Sequence, residues 1–238
     1  KVKIFSMLDA TLISMERNML RLVLLSCALG LSANAENIYS KNAGQGFASL
    51  PTAKKGGTLY MRVLGNPKVL NPLINHDVDV RNMLDGQMFA YLMHPDKDST
   101  EYFPSLAEKL DVSKDRKTYT YTLRKEAVWD DGTPVTTDDV EFFYNTMWND
   151  KVDAAPARAF VGPFKFEKVD KQTFKFIVEN PNINTVRNFN EFTIFQKKQF
   201  DGVTDFNSAK GIMQPVGNGP YKFKSFVRDQ KVEFERNK

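Results

Sequence analysis

Thiols and imidazoles are almost missing from this chain: among 238 residues there is one cysteine, Cys27, and two histidines, His76 and His94. Cys27 lies in an N-terminal stretch expected to be removed. The remainder would then hold no thiol, which excludes disulfides, cysteine nucleophiles and thiolate metal sites. The histidines stand eighteen positions apart with no carboxylate pattern around them, so neither a metal site nor a cofactor is expected. Nucleophile elbows, phosphate-binding glycine loops and zinc-protease helices are absent too. Charge of one sign is also scarce. The net +4 falls to +2 without residues 1–35, because Lys1, Lys3, Arg17 and Arg21 outnumber Asp9 and Glu16 by two. With no basic stripe, a nucleic-acid partner is not expected.

Long apolar runs are missing as well. The longest, residues 22–31, is half the roughly 20 residues that a helix needs to cross a bilayer. Arg17 and Arg21 precede it and Ala33-Asn34-Ala35 follows. That order is the pattern of a secretory signal, with cleavage expected between Ala35 and Glu36. Translation is expected to begin at Met15 or Met19, and residues 1–14 to be an over-extended frame. Lipid anchoring through Cys27 is the lesser reading, since only Leu22 to Leu25 would precede it.

What is present is ordinary globular composition, 42% hydrophobic and 26% charged, enough for one sizeable core or two small ones. Residues 36–53 are small and polar and are expected to form a flexible leader. Leu59, Met61 and Val63 alternate as in a first strand. Pro67 and Pro72 place the next stretch in a loop. Met83, Leu84, Met88, Tyr91 and Leu92 recur at helical spacing, which predicts a helix over residues 80–93. Residues 118–124 alternate threonine with Tyr119, Tyr121 and Leu123, a half-buried strand. Residues 163–180 and 217–237 each consist of two alternating runs about a polar turn, the signal of a hairpin. Mixed helices and hairpins without regular β-α-β alternation predict α+β or a discontinuous α/β arrangement.

Residues 128–148, VWDDGTPVTTDDVEFFYNTMW, carry five acids in twenty-one positions. Asp130-Asp131-Gly132-Thr133-Pro134 is turn chemistry. Thr136 or Thr137 can cap the following helix, with Asp138 and Asp139 in its first turn, where the helix dipole favours negative charge. Val140, Phe143, Tyr144, Met147 and Trp148 form its apolar face. A glycosidase-like carboxylate pair is the competing reading, but it requires one acid with a raised pKa in an apolar pocket. Acids in a turn and at a helix N-terminus are expected to be lowered instead. No catalytic residues are assigned, and the chain is expected not to be an enzyme.

Several blocks together resemble the bacterial extracellular solute-binding proteins of family 5, the oligopeptide and dipeptide receptors of ABC importers. They are Gly56-Gly57-Thr58-Leu59, Leu70-Asn71-Pro72, Pro104-Ser105-Leu106-Ala107-Glu108, Tyr119 to Arg124, the run Val128 to Thr136 with Asp138-Asp139-Val140, and Gly217-Asn218-Gly219-Pro220-Tyr221. Asn218 stands where the family commonly has threonine.

The resemblance implies a two-lobed periplasmic-binding-protein fold of mixed, discontinuous α/β type. Residues 54–80 would open lobe I, residues 81–210 would form the smaller lobe II, and residues 211–238 would return to lobe I. It implies a periplasmic monomer that closes on an extended peptide or other small solute and delivers it to ABC permease subunits. The framework acids at 128–148 would not touch ligand. Asn66, Val69, Leu70 and Asn71 are the candidate ligand contacts, because their strand would lead into the cleft. Family members are longer, so the chain is expected to be the N-terminal portion of such a fold. The alternatives are a secreted hydrolase with catalytic residues elsewhere, or a chaperone-like binding protein on the same scaffold.

Overall fold

A computed structural model describes residues 56–62, 67–75, 77–96, 99–208 and 214–237. The signal segment, Cys27, the Ala35–Glu36 bond, Val63, Asn66 and His76 lie outside the described residues. Every strand pairing among the described residues is antiparallel.

The centre is a four-stranded sheet in the order β3-β4-β6-β5, made of β3 (Ala107–Val112), β4 (Thr118–Leu123), β5 (Lys165–Lys168) and β6 (Thr173–Ile177). Strand β4 follows its expected alternation, with Tyr119, Tyr121 and Leu123 buried and the threonines half-exposed. The register places Tyr119 opposite Phe176 and Tyr121 opposite Phe174, so one face is almost wholly aromatic. Tyr121 and Phe174 stack with centroids 5.4 Å apart. Phe176 meets Phe189 at 4.8 Å and Phe164 at 4.8 Å. Such ring pairs each add about 0.5–1.5 kcal/mol beyond the area that they bury. The Tyr121 hydroxyl, sealed in this layer, donates to Asn190 Oδ1 at 2.8 Å, which removes the cost of burying it bare.

The expected hairpin at β5–β6 forms. Asp170 closes its turn by accepting from the N–H groups of Gln172 and Thr173, both at 2.7 Å. The second hairpin also forms, from β7 (Tyr221–Val227) and β8 (Lys231–Arg236). Its turn holds Asp229 at φ +62°. Two shorter strands, β1 (Met93–Pro95) and β2 (Tyr102–Pro104), pair with each other.

Helix α2 (Thr137–Met147) lays Val140, Phe143 and Met147 on the core, as their spacing predicts. Short helices α3 (Ala155–Val161) and α4 (Thr185–Asn190) pack against each other.

Two expectations fail. The helix expected over residues 80–93 is only α1, Val78–Leu84. Gly86, at φ +74°, turns the chain, and Leu84 O then accepts from the N–H groups of both Met88 and Phe89 at 3.0 Å. The later apolar positions still reach the core, but from a loop and from β1. The expected first strand does not form over residues 59–62 either. Leu59, Tyr60 and Met61 are 83%, 89% and 67% exposed. Alternation describes a strand only where a neighbour supplies the ladder hydrogen bonds, and none does so among the described residues.

Candidate functional site

The turn before α2 is a hub rather than an open carboxylate cluster. Trp129 N–H donates to Thr133 O at 2.8 Å, and Gly132 N–H to Trp129 O at 2.9 Å, with Gly132 at φ +81°. Of the two cap candidates it is Thr136 that caps the helix, and with Asp139 it completes a capping box. Thr137 instead donates its hydroxyl to Asp170 O at 2.6 Å, tying the helix start to the β5–β6 turn.

Asp139 is 6% exposed. Its Oδ1 accepts from Lys197 N–H at 2.9 Å, and its Oδ2 from Thr136 N–H at 3.0 Å and Trp129 Nε1–H at 3.3 Å. One carboxylate therefore binds the turn, the helix start and the 3₁₀ turn Lys197–Phe200.

The acids do not titrate uniformly as expected. The Lys168 ammonium holds Asp138 below the carboxylate range. Desolvation pushes Asp131 up, but hydrogen bonds from Thr133, Gln196 and Lys198 outweigh it and leave that acid well below the range. Asp139 and Asp130 are raised instead, in both cases chiefly by burial. A helix N-terminus lowers an acid only while water still reaches it, and Asp139 is buried. Glu141, the fifth acid, meets Lys168 Nζ at 3.3 Å. Both oxygens of Asp139 are committed to N–H donors, which does not suit proton transfer to a substrate. Beside the hub lies a shallow depression of about 340 Å³, lined in part by Trp129, Thr136, Gln196 and Lys197.

The second constellation joins the Gly217–Tyr221 block to residues 87–90. The N–H groups of Asn218 and Gly219 both donate to Met88 O, at 3.1 and 2.8 Å, and Tyr221 N–H donates to Gln87 O at 3.1 Å. Asn218 Oδ1 accepts from Ala90 N–H at 2.9 Å. The departure from threonine at 218 thus supplies an acceptor that reaches another backbone. Asp130 clamps the same block from the hub: its N–H donates to Gly217 O at 2.8 Å, and its Oδ2 accepts from Gly217 N–H at 3.2 Å. The glycines are needed for close approach. A Cβ on Gly217 would stand 2.4 Å from Met88 O, and one on Gly219 2.3 Å from Gln87 O.

The candidate ligand loop is placed unevenly. Leu70 is fully buried, and Asn71, 1% exposed, accepts from Leu73 N–H at 2.9 Å through its own side chain. Both side chains hold the loop together from inside. Val69 is half-buried, its carbonyl accepting from Asn75 Nδ2 at 2.6 Å. Asn66 is outside the described residues. His94 lies half-buried in β1, with its Nδ1 hydrogen-bonded to Pro95 O at 2.8 Å.

Comparison with known proteins agrees with this architecture. The family model described as bacterial extracellular solute-binding proteins, family 5 Middle, matches residues 101–238. The chain is 29% identical over 236 residues to the dipeptide-binding protein DppE of Bacillus subtilis, covering 88% of this chain and 41% of that protein. It is 28% identical over 195 residues to the probable D,D-dipeptide-binding periplasmic protein DdpA of Escherichia coli, covering 77% and 37%. Among solved structures, the ABC transporter substrate-binding protein CtaP of Listeria monocytogenes superposes with a TM-score of 0.67 at 32% identity, covering 77% of this chain and 37% of that one. The chain thus spans about two fifths of the length of these relatives. The mixed helix-and-sheet structure corresponds to part of the periplasmic solute-binding fold. The family match, the antiparallel sheet behind the tryptophan hub and the clamped glycine block all agree, and the chain belongs to the bacterial extracellular solute-binding proteins of family 5.

Proposed function

We propose that this chain is the solute-capturing component of an ABC importer, taking up extended peptides outside the cytoplasmic membrane and delivering them to a permease. The family match over residues 101–238 carries the reading. The names of its relatives, a dipeptide-binding protein and a probable D,D-dipeptide-binding protein, supply the cargo class. Its role is capture without chemistry, as a monomer. The acids of the tryptophan hub support this, since each described partner they hold is part of the framework. Residues 81–210 serve as the smaller lobe, and residues 54–80 and 211–238 belong to the other. Of the candidate loop, Val69 and the backbone beside it are the contacts offered to ligand, because Leu70 and Asn71 point their side chains into the interior. Main-chain hydrogen bonding suits a cargo whose side chains vary.

Titrating the protein with a set of peptides from dipeptides to nonapeptides, read by calorimetry and thermal shift, tests the reading. A bound peptide at a hundred times its Kd stabilises the fold by about 2.7 kcal/mol. A rise in melting temperature with at least one peptide class is expected. No rise with any peptide, together with a rise on adding a metal–amino-acid complex or an opine, would replace the cargo class while keeping the receptor role. Export is read separately: the secreted protein is expected to begin at Glu36, and an unprocessed N-terminus would refute cleavage.

A further inference from the structure

Asparagine followed by glycine occurs once in the chain, at Asn218-Gly219, inside the block that residues 87–90 hold. Asparagine is among the thermolabile side chains, and this pair is its most reactive setting, because glycine has no Cβ to shield its nitrogen. The chemistry is intramolecular. The Gly219 nitrogen gives up its proton and attacks Asn218 Cγ. A C–N bond forms, the Cγ–Nδ2 bond breaks, and Nδ2 leaves as ammonia with that proton. Water then opens the cyclic imide at one of its two carbonyls. One opening gives aspartate, and the other gives isoaspartate, whose main chain is one carbon longer.

The atoms that must react are occupied in the fold. Gly219 N–H donates to Met88 O at 2.8 Å, so its proton is not free to leave. Asn218 Oδ1 accepts from Ala90 N–H at 2.9 Å, which fixes the carboxamide on the neighbouring segment. Asp130 holds Gly217, one residue earlier, through its own N–H and through Oδ2. The leaving group is the exception. Asn218 Nδ2 is sealed from solvent without a hydrogen-bond partner among the described residues, so its departure breaks no contact there.

We propose that Asn218 is a self-modifying site kept unreacted by its contact with residues 87–90: when the block lifts from Met88, Asn218 and Gly219 close the imide, and the product no longer fits back. The reason is space. A Cβ on Gly219 would already stand 2.3 Å from Gln87 O and 2.8 Å from Met88 O. Isoaspartate inserts a whole carbon into the main chain immediately before Gly219 and shifts its N–H away from the Met88 carbonyl. Aspartate keeps an oxygen for Ala90 N–H, but it puts a carboxylate where Nδ2 was sealed, and an unpaired buried charge is costly. Either product makes an opening permanent, so the modified fraction records how often this block has opened.

Incubating the full chain at mildly alkaline pH, followed by peptide mapping with mass spectrometry, tests this. Asn218 is expected to convert more than about tenfold faster in urea than in the folded protein, since local opening is rare in the native state. Asp130→Ala, which removes one hold on Gly217, is expected to convert faster than the parent under native conditions. Asp130→Asn, which keeps an acceptor there, is expected to stay nearer to the parent. The converted fraction, separated by its added negative charge, is expected to melt below the unconverted protein. Equal rates in the folded protein and in urea would overturn the proposal, and so would a converted fraction that melts with the parent. Both of these measurements use the unaltered chain and hold even where Asp130→Ala does not fold.

Discussion

Gly219→Ala is expected to lower stability by about 3 kcal/mol, the upper range for overpacking a close contact. For a chain of this size that is a fall in melting temperature of roughly 6–12 °C. The new methyl would sit 2.3 Å from Gln87 O and 2.8 Å from the Met88 carbonyl. These are backbone atoms, and they cannot swing aside as a side chain would. They are also the atoms that hold the hairpin block, so relief of the clash breaks the hydrogen bonds of Gly219 and Tyr221. Gly132→Ala is the control. That site has φ +81° and nothing within 4 Å, so only the left-handed backbone cost of about 1–2 kcal/mol applies. Differential scanning calorimetry of both variants separates close approach from backbone strain. A Gly219→Ala protein melting with the parent would mean that the two segments do not touch as described.

Asp139→Ala is expected to cost roughly 3–5 kcal/mol, since it strands the N–H groups of Thr136, Lys197 and Trp129 at about 1–3 kcal/mol each before relaxation. The readout is the midpoint of urea unfolding at unchanged slope. Trp129→Phe, which keeps a ring in the pocket and removes one donor, is expected to cost less. In a double-mutant cycle the pair is expected to lose less than the sum of the single changes, because they share one hydrogen bond. Asp139→Asn adds a pH test. Burial raises the Asp139 carboxyl above its unfolded 3.8, so the fold favours the protonated acid. That contribution is present below 3.8 and fades as pH rises through the raised folded value. Asp139→Asn is expected to flatten this part of the stability curve, and an unchanged slope would show that Asp139 does not titrate there.

The elements that were legible in the sequence are those whose pattern and partner are both local. Strand β4 and the β5–β6 hairpin show in alternation, because their neighbours follow within a few tens of residues and their buried face is largely aromatic. The start of α2 shows in Thr136 and Asp139 because a capping box closes over four positions. Helix α1 was over-extended because the spacing of Met88, Tyr91 and Leu92 mimics a helical face. The Asp85-Gly86 pair was the available stop signal, and Gly86 at φ +74° is what the structure uses. Residues 59–62 were misread because alternation records which side chains are apolar, not whether a ladder exists to receive them.

The site was less legible than the fold. The partners of Asp139, Trp129 and Lys197, converge from 10 and 58 residues away, and the burial that raises its carboxyl against their hydrogen bonds has no local signal. No pattern in the chain announces the contact between Gly219 and Gln87. The burial of Leu70 and Asn71 was equally hidden, since a proline-bearing loop is ordinarily a surface feature.

The tryptophan hub and the glycine clamp also differ in when they can exist. Trp129 and Asp139 are ten residues apart, so that loop closes on the timescale of short-chain diffusion, with little entropy to overcome. The Asp130–Gly217 and Ala90–Asn218 contacts span 87 and 128 residues and wait for the sheet to bring their ends together. During synthesis the Met88 carbonyl leaves the ribosome long before the amides that will satisfy it. Through that interval the Gln87 and Met88 carbonyls lack the amides that they accept from in the fold, and the nascent chain is open to wrong pairing there.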